Sequence, residues 1–262
     1  FYYFQGDLYQ EASYYDLKNF LMDFDRQYKV CAYKLFYLSV RPELYADVFA
    51  YLKQTNILHT CGINTDQIWS RVLIEKPFGT NFKHAQELDT QLSKVLSEDK
   101  IFRIDHYLAK EALENILIFR FKNKIFNAIW NKNFISKITV RLFEKRTVEG
   151  RGEFYDQVGA LRDVGQNHAL QMLAIALMEQ PDVFDGEHIR NEREKVLKTL
   201  KPLEYIEENF ERGQYQEYGT HVPNINSQTE TYFKISLESE NDNWSGVPLV
   251  IESGKAMLKD ET

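Results

Sequence analysis

The chain has 262 residues, room for one large domain or two ordinary ones, and its 44% hydrophobic and 27% charged content is that of a soluble globular protein with a sizeable core. A net charge of −7 excludes a general binder of nucleic acid or of an anionic membrane surface, while leaving room for a local basic pocket. Cys31 and Cys61, far apart in sequence, predict a reducing compartment with no disulfide framework and no zinc or other metal site. No signal-peptide pattern and no apolar run of bilayer length occurs, so the expected location is the cytoplasm.

In chain order, Tyr14, Leu17, Phe20, Leu21 and Phe24 recur at helical spacing and predict a helix over 11–26. The short apolar run 34–40 predicts a strand, and Pro42 opens a helix over 41–55. Residues 71–79, RVLIEKPFG, read as a strand stopped by Pro77 and Gly79. An amphipathic helix over 81–98 and a strand over 101–104 follow. The stretch FRIDHYLAKEALENIL, 102–117, then opens a helix on which His106 and Lys110 share one face. Strands separated by helices imply a parallel sheet with crossovers.

The pattern changes near residue 105, where a domain boundary is placed between 1–104 and 105–262. Residues 135–145 alternate with period two, 155–180 read as one helix or two broken by a glycine, and 190–200 form a charged helix. Strands return over 229–239 and 246–255. Long strands punctuated by helices predict an α+β domain with a mainly antiparallel sheet covered by helices, so the fold class is α/β followed by α+β.

Several residues carry chemistry. Glu144 continues the apolar face of Ile138, Val140 and Leu142, which places it either at a wet sheet end or in a pocket. His168 lies on the stripe Leu161, Val164, Met172 and Ile175; it is either a core histidine or a general base, with Asp163, Gln166 and Asn167 crowding its turn. Gly159 and Gly165 each cost a helix about 1 kcal/mol relative to alanine, which implies a bend or a close contact. His106 and Lys110 at a helix start are either solvated side chains or an anion site, since the free N–H groups there attract phosphate. Lys76, just past a parallel strand, lies where such sheets bind ligands.

Taken in order, these segments resemble the glucose-6-phosphate dehydrogenase family. RVLIEKPFG, RIDHYLAKE, VEGRGEFYDQVGALRDVGQNHALQMLA, IRNEREKVLKTLKPL, RGQY, TETY and NWSGVP follow the family's order, and the likeness spans essentially the whole chain. The resemblance implies that His168 is the base taking the C1 hydroxyl proton of the sugar and that Asp105 orients it. It implies a sugar-phosphate site of His106, Tyr107 and Lys110, sugar-hydroxyl contacts from Glu144 and Asp163, and a further substrate lysine at Lys255. Lys76 corresponds to a lysine near both substrate and cofactor, and Tyr45 to a cofactor-side tyrosine. The implied reaction converts D-glucose 6-phosphate to 6-phospho-D-glucono-1,5-lactone with NADP, the first step of the oxidative pentose phosphate pathway, in a homodimer or homotetramer when full length.

The departures are specific. No glycine-rich dinucleotide fingerprint occurs between Phe1 and Thr262, so the chain, which also opens without Met, reads as the C-terminal half of a Rossmann-like domain followed by part of the substrate domain. Ala109 stands where the family has glycine, Arg41 where it has proline, Glu252 where it has arginine, and Asp260 where a basic residue is common. Two rivals follow: another sugar oxidoreductase with an EKP turn, as in the glucose–fructose oxidoreductase family, and a non-catalytic sugar-phosphate-binding or assembly homologue.

Overall fold

Strands β1 (Lys34–Leu38), β2 (Ser70–Ile74) and β3 (Ile101–Arg103) pair in parallel in the order β1-β2-β3. They belong to a computed structural model that describes residues 1–63 and 70–262. The chain forms two units, Phe1–Ile104 and Asp105–Thr262. In the first, β2 is central and buries Ser70, Val72 and Ile74 on one face, with Arg71 and Leu73 half-buried on the other. Helix α1 is Glu11–Tyr28, and a turn opened by Pro42 leads into α2 (Tyr45–Gln54). Helix α2 buries Tyr45, Val48, Phe49 and Leu52, one face at helical spacing. Helix α3 (Phe82–Ser93) is capped by the Asn81 side chain, which accepts from His84 N–H, and it buries Leu88 and Leu92. Leu38, Ile74 and Arg103 are in register, so the carboxyl ends of the three strands align.

The expectation of no disulfide is corrected. Cys31 and Cys61 are joined through their sulfurs, with their Cα atoms 5.3 Å apart. The buried Asp25 carboxylate accounts for the approach. It accepts from Ala32 N–H at 3.1 Å, Gly62 N–H at 3.1 Å and Lys34 Nζ at 2.9 Å, so one group ties down the neighbours of both cysteines. Burial alone would raise the Asp25 carboxyl; the Lys34 hydrogen bond and the two backbone donors hold it below the usual carboxylate range.

In the second unit, helices α4 (Glu111–Lys122) and α5 (Lys124–Ile129) precede β4 (Ile138–Phe143). Helix α6 (Gly152–Ala160), a π-helical segment Leu161–Ala169 and α7 (Leu170–Leu177) follow, then α8 (Gly186–Thr199). The sheet adds β5 (Leu200–Pro202), β6 (Phe210–Gly213), β7 (Tyr232–Ser239) and β8 (Leu249–Gly254). Strand β7 pairs antiparallel with β5, β6 and β8, while β4 pairs parallel with β8. The π-helical segment packs on β4 and β8, and α7 against α4 and α8. Val140, Leu142, Leu173, Leu177, Phe233, Trp244, Leu249 and Ile251 form the core between them.

Arg120 is buried under this layer. Its guanidinium donates to the carbonyls of Ile175 and Met178 at 2.7 Å each, serving the end of α7, and stands over the Trp130 ring. Burial lowers it to about 10.

The stretch from 105 to 110 differs from expectation. It is a run of turns, and α4 begins only at Glu111. Asp105 Oδ1 accepts from Tyr107 N–H at 3.0 Å, a local side-chain bond that competes with helix formation. His106 and Lys110 therefore do not share a helical face.

Candidate active site

The helix-breaking sequence around Gly159 and Gly165 sets the position of His168. Gly159 has φ +76°, where a side chain is strained, and a Cβ there would come within 2.5 Å of the Glu230 carboxylate. That carboxylate accepts from Leu161 N–H at 3.0 Å and so caps the segment that starts after the break. At Gly165 a Cβ would stand 2.6 Å from the Phe233 ring. Of the two consequences expected of these glycines, Gly159 supplies the bend and Gly165 the close contact.

His168, on this segment, is 2% exposed. Its Nδ1 lies 2.6 Å from Asp105 Oδ1. Burial would raise the Asp105 carboxyl, but the His168 hydrogen bond, its charge and the Tyr107 N–H together hold it below the usual carboxylate range. An ionised Asp105 can only accept, so the ring proton belongs on Nδ1 and the lone pair on Nε2. Nε2 is buried and has no hydrogen-bond partner among the described residues. The arrangement is that of a general base oriented by a carboxylate.

Aromatic rings surround the dyad. The Tyr107 ring centroid is 4.2 Å from that of His168, and the His106 ring is 4.6 Å away and edge-on. Lys110 Nζ stands 3.7 Å from the Tyr107 ring centroid, a cation–π contact. The Tyr107 phenol is raised by burial first, then by the charges of Glu144, Asp105 and Asp163, so these acids face it. Glu144 and Lys255 leave the carboxyl ends of the parallel pair β4 and β8 side by side and form an ion pair. Glu144 thus sits in a charged cluster rather than at a bare sheet end. Asp105, His106 and His168 also bring one ligand atom each within 4.8 Å of one another.

Lys76 and Tyr45 belong to the first unit. Lys76 lies two residues beyond β2, at the aligned strand ends where dinucleotides bind in such sheets. Tyr45 is 1% exposed and donates its hydroxyl to the Glu75 carbonyl at 3.0 Å, so it braces the turn carrying Lys76 rather than presenting its hydroxyl outward. Lys76 is thus placed to meet a dinucleotide at the strand ends, with Tyr45 supporting its turn from the buried side. The diphosphate end asks for a glycine-rich turn, and none occurs in residues 1–262. The departing residues have partners of their own. Glu252 accepts from Arg141 Nε and the Tyr232 hydroxyl at 2.9 Å each, and Asp260 accepts from Lys145 N–H at 2.8 Å. Two residues near the site carried no sequence signal: Glu230, which caps the π-helical segment, and Tyr155, whose hydroxyl is buried with no partner among the described residues.

A three-stranded parallel sheet followed by a helix-covered mixed sheet bearing an Asp–His dyad defines a class of fold, a Rossmann-like unit joined to an α+β unit. Two family models match: "Glucose-6-phosphate dehydrogenase, NAD binding domain" over residues 1–115 and "Glucose-6-phosphate dehydrogenase, C-terminal domain" over 117–262. The chain belongs to the glucose-6-phosphate dehydrogenase family. Glucose-6-phosphate 1-dehydrogenase of Bacillus subtilis is 38% identical over 275 residues, covering 100% of this chain and 55% of its own length. The enzyme of that name from Kluyveromyces lactis is 38% identical, covering 97% of this chain and 52% of its own. A glucose-6-phosphate dehydrogenase solved in complex with its substrate glucose-6-phosphate superposes with a TM-score of 0.86 at 37% identity, covering 97% of this chain and 53% of that one. The Mycobacterium avium structure gives 0.83 at 35%, covering 98% and 54%. The chain therefore spans about half the length of the relatives it matches.

Proposed function

We propose that these residues carry the catalytic dyad and sugar-phosphate site of an NADP-dependent dehydrogenase that oxidises D-glucose 6-phosphate to 6-phospho-D-glucono-1,5-lactone. The observation that carries this reading is the His168–Asp105 pair, with Nε2 buried and without a partner among the described residues, beside the His106 ring and the Tyr107 ring that Lys110 stands over. Nε2 takes the C1 hydroxyl proton, and Asp105 stabilises the imidazolium that forms. When bound, the nicotinamide supplies the acceptor for the C1 hydrogen and its electron pair, with Lys76 on the turn beside it. His106, Tyr107 and Lys110 hold the phosphate, and binding energy far from C1 is used to place C1. Glu144, Asp163 and Lys255 hold the sugar hydroxyls. The same reading places the protein in the cytoplasm, at the head of the oxidative pentose phosphate pathway, as a homodimer or homotetramer. The test is nicotinamide reduction by the full-length protein with glucose 6-phosphate, with NADP and NAD compared. NADP-dependent reduction is expected; no reduction with either cofactor would favour the non-catalytic homologue.

A further inference from the structure

Glu75 follows β2 and immediately precedes Lys76. Tyr37 on β1 is in register with Leu73 on β2, and Glu75 stands two residues beyond Leu73, so strand alternation brings Tyr37 and Glu75 to one face of the sheet at its carboxyl edge. There the Tyr37 hydroxyl donates to Glu75 Oε1. That bond raises the Tyr37 phenol above its usual range, so the hydroxyl stays protonated and donating. Glu75 is held a second time through its backbone, where the Tyr45 hydroxyl of α2 donates to its carbonyl at 3.0 Å. Farther along the turn, the Arg103 guanidinium from the end of β3 stands 5.0 Å from the Phe78 ring centroid, anchored by Asp89 and, at 2.7 Å, by Glu98. Lys76 is therefore carried on a turn held from β1, α2 and β3. Tyr37 is 54% exposed on the outer strand of the three, and a hydroxyl–carboxylate bond there adds little to the packing of this unit. What it does fix is the side chain immediately before Lys76.

We propose that Tyr37 is a positioning residue for the cofactor: by holding the Glu75 carboxylate across the sheet, its hydroxyl fixes the turn so that Lys76 meets the nicotinamide half of NADP at the strand ends. The assignment rests on the proposed function and deepens its cofactor side. Lys76 is a long side chain on a connecting segment, and its ammonium serves a ligand best where the segment that carries it is held by supporting contacts. Tyr45 holds Glu75 by its backbone from the buried side, and Tyr37 holds it by its carboxylate from the open side. Loss of the Tyr37 hydroxyl removes one of these two holds and leaves the strand ends in place. The sugar-phosphate residues His106, Tyr107 and Lys110 take no part in these contacts, so the consequence falls on the cofactor.

The test measures affinity for NADP and, separately, for glucose 6-phosphate by calorimetry, with thermal unfolding alongside. The full-length protein is compared as wild type, Tyr37→Phe, Glu75→Ala, Glu75→Gln and the double variant of Tyr37→Phe with Glu75→Ala. Tyr37→Phe keeps the ring and is expected to weaken NADP binding about three- to tenfold, the worth of one hydrogen bond, with glucose 6-phosphate affinity and Tm level. The double variant should bind NADP no more weakly than Glu75→Ala, because hydroxyl and carboxylate act as one unit. Glu75→Gln keeps an oxygen acceptor for Tyr37 and should bind NADP more tightly than Glu75→Ala. Unchanged NADP affinity in Tyr37→Phe, equal losses for NADP and glucose 6-phosphate, or fully additive losses in the double variant would each overturn the assignment. If the wild type itself does not bind NADP, the proposed function fails on its cofactor side and the role of Tyr37 falls with it. NADP binding by the wild type with none of the expected differences removes the tyrosine's role alone.

Discussion

Asp105 and His168, 63 residues apart, meet at 2.6 Å with the carboxylate on Nδ1 and, on the far side of the ring, a buried Nε2 with no partner among the described residues. The contact depends on two turns. One at 105–107 aims the carboxylate through its bond from Tyr107 N–H, and the break at Gly159 starts the π-helical segment that carries the imidazole.

Asp105→Asn should leave the backbone in place but allow the amide to donate, which favours the wrong imidazole tautomer. Turnover in the full-length protein should fall by about 10²–10⁴-fold, with the sugar-phosphate KM changed far less. Steady-state kinetics on the purified variant checks this.

The same carboxyl makes stability depend on pH in a fixed direction. Its folded pKa lies below its unfolded value, so the unfolded chain binds the extra proton and stability rises with pH through that window. The contribution is complete above the ordinary carboxylate value of about 4 and is lost as pH falls through the folded value. In urea unfolding from neutral to acid pH, the stability gap between wild type and Asp105→Asn should narrow as pH falls.

Much of the first unit is legible in sequence because its signals are local. The stripe of Tyr45, Val48, Phe49 and Leu52 and the Asn81 cap lie within their own helices. What the sequence could not show depends on partners far along the chain. The parallel pairing of β4 with β8 brings Glu144 to Lys255, and alternation alone does not reveal a strand's partner. The Cys31–Cys61 contact depends on Asp25 reaching Gly62. Helical periodicity ran through 105–110 because His106 and Lys110 have the right spacing, but the Asp105 side chain diverts the backbone into turns.

Arg120 has no carboxylate partner among the described residues and serves two carbonyls at the end of α7. Arg120→Ala should strand both carbonyls in the core. Each lost partner costs about 1–3 kcal/mol, so the loss should total about 2–6 kcal/mol. Denaturant unfolding measures it, with a fall in midpoint at unchanged slope expected.

Gly165→Ala should press a methyl group into the Phe233 ring. Overpacking of this kind costs about 1–3 kcal/mol, and because the segment also carries His168, turnover should fall with stability. Pairing the change with Phe233→Leu should recover both, measured by unfolding and by kinetics on the same preparation.

Lys110→Ala should separate phosphate recognition from sugar recognition. A lost charge-assisted contact is worth about 1.5–3 kcal/mol, so KM for glucose 6-phosphate should rise roughly 10–150-fold while weak activity on free glucose stays nearly level. Equal effects on both sugars would remove Lys110 from the phosphate site.

The central claim is that His168 is the base. Its most direct measurement is kcat for glucose 6-phosphate in the full-length His168→Asn variant, beside the affinity for the same sugar phosphate. Asparagine keeps a polar group at the position but cannot take the C1 hydroxyl proton. The account predicts a kcat lower by about 10²–10⁴-fold with affinity close to that of the wild type. A near-normal kcat would contradict it and make His168 a core histidine.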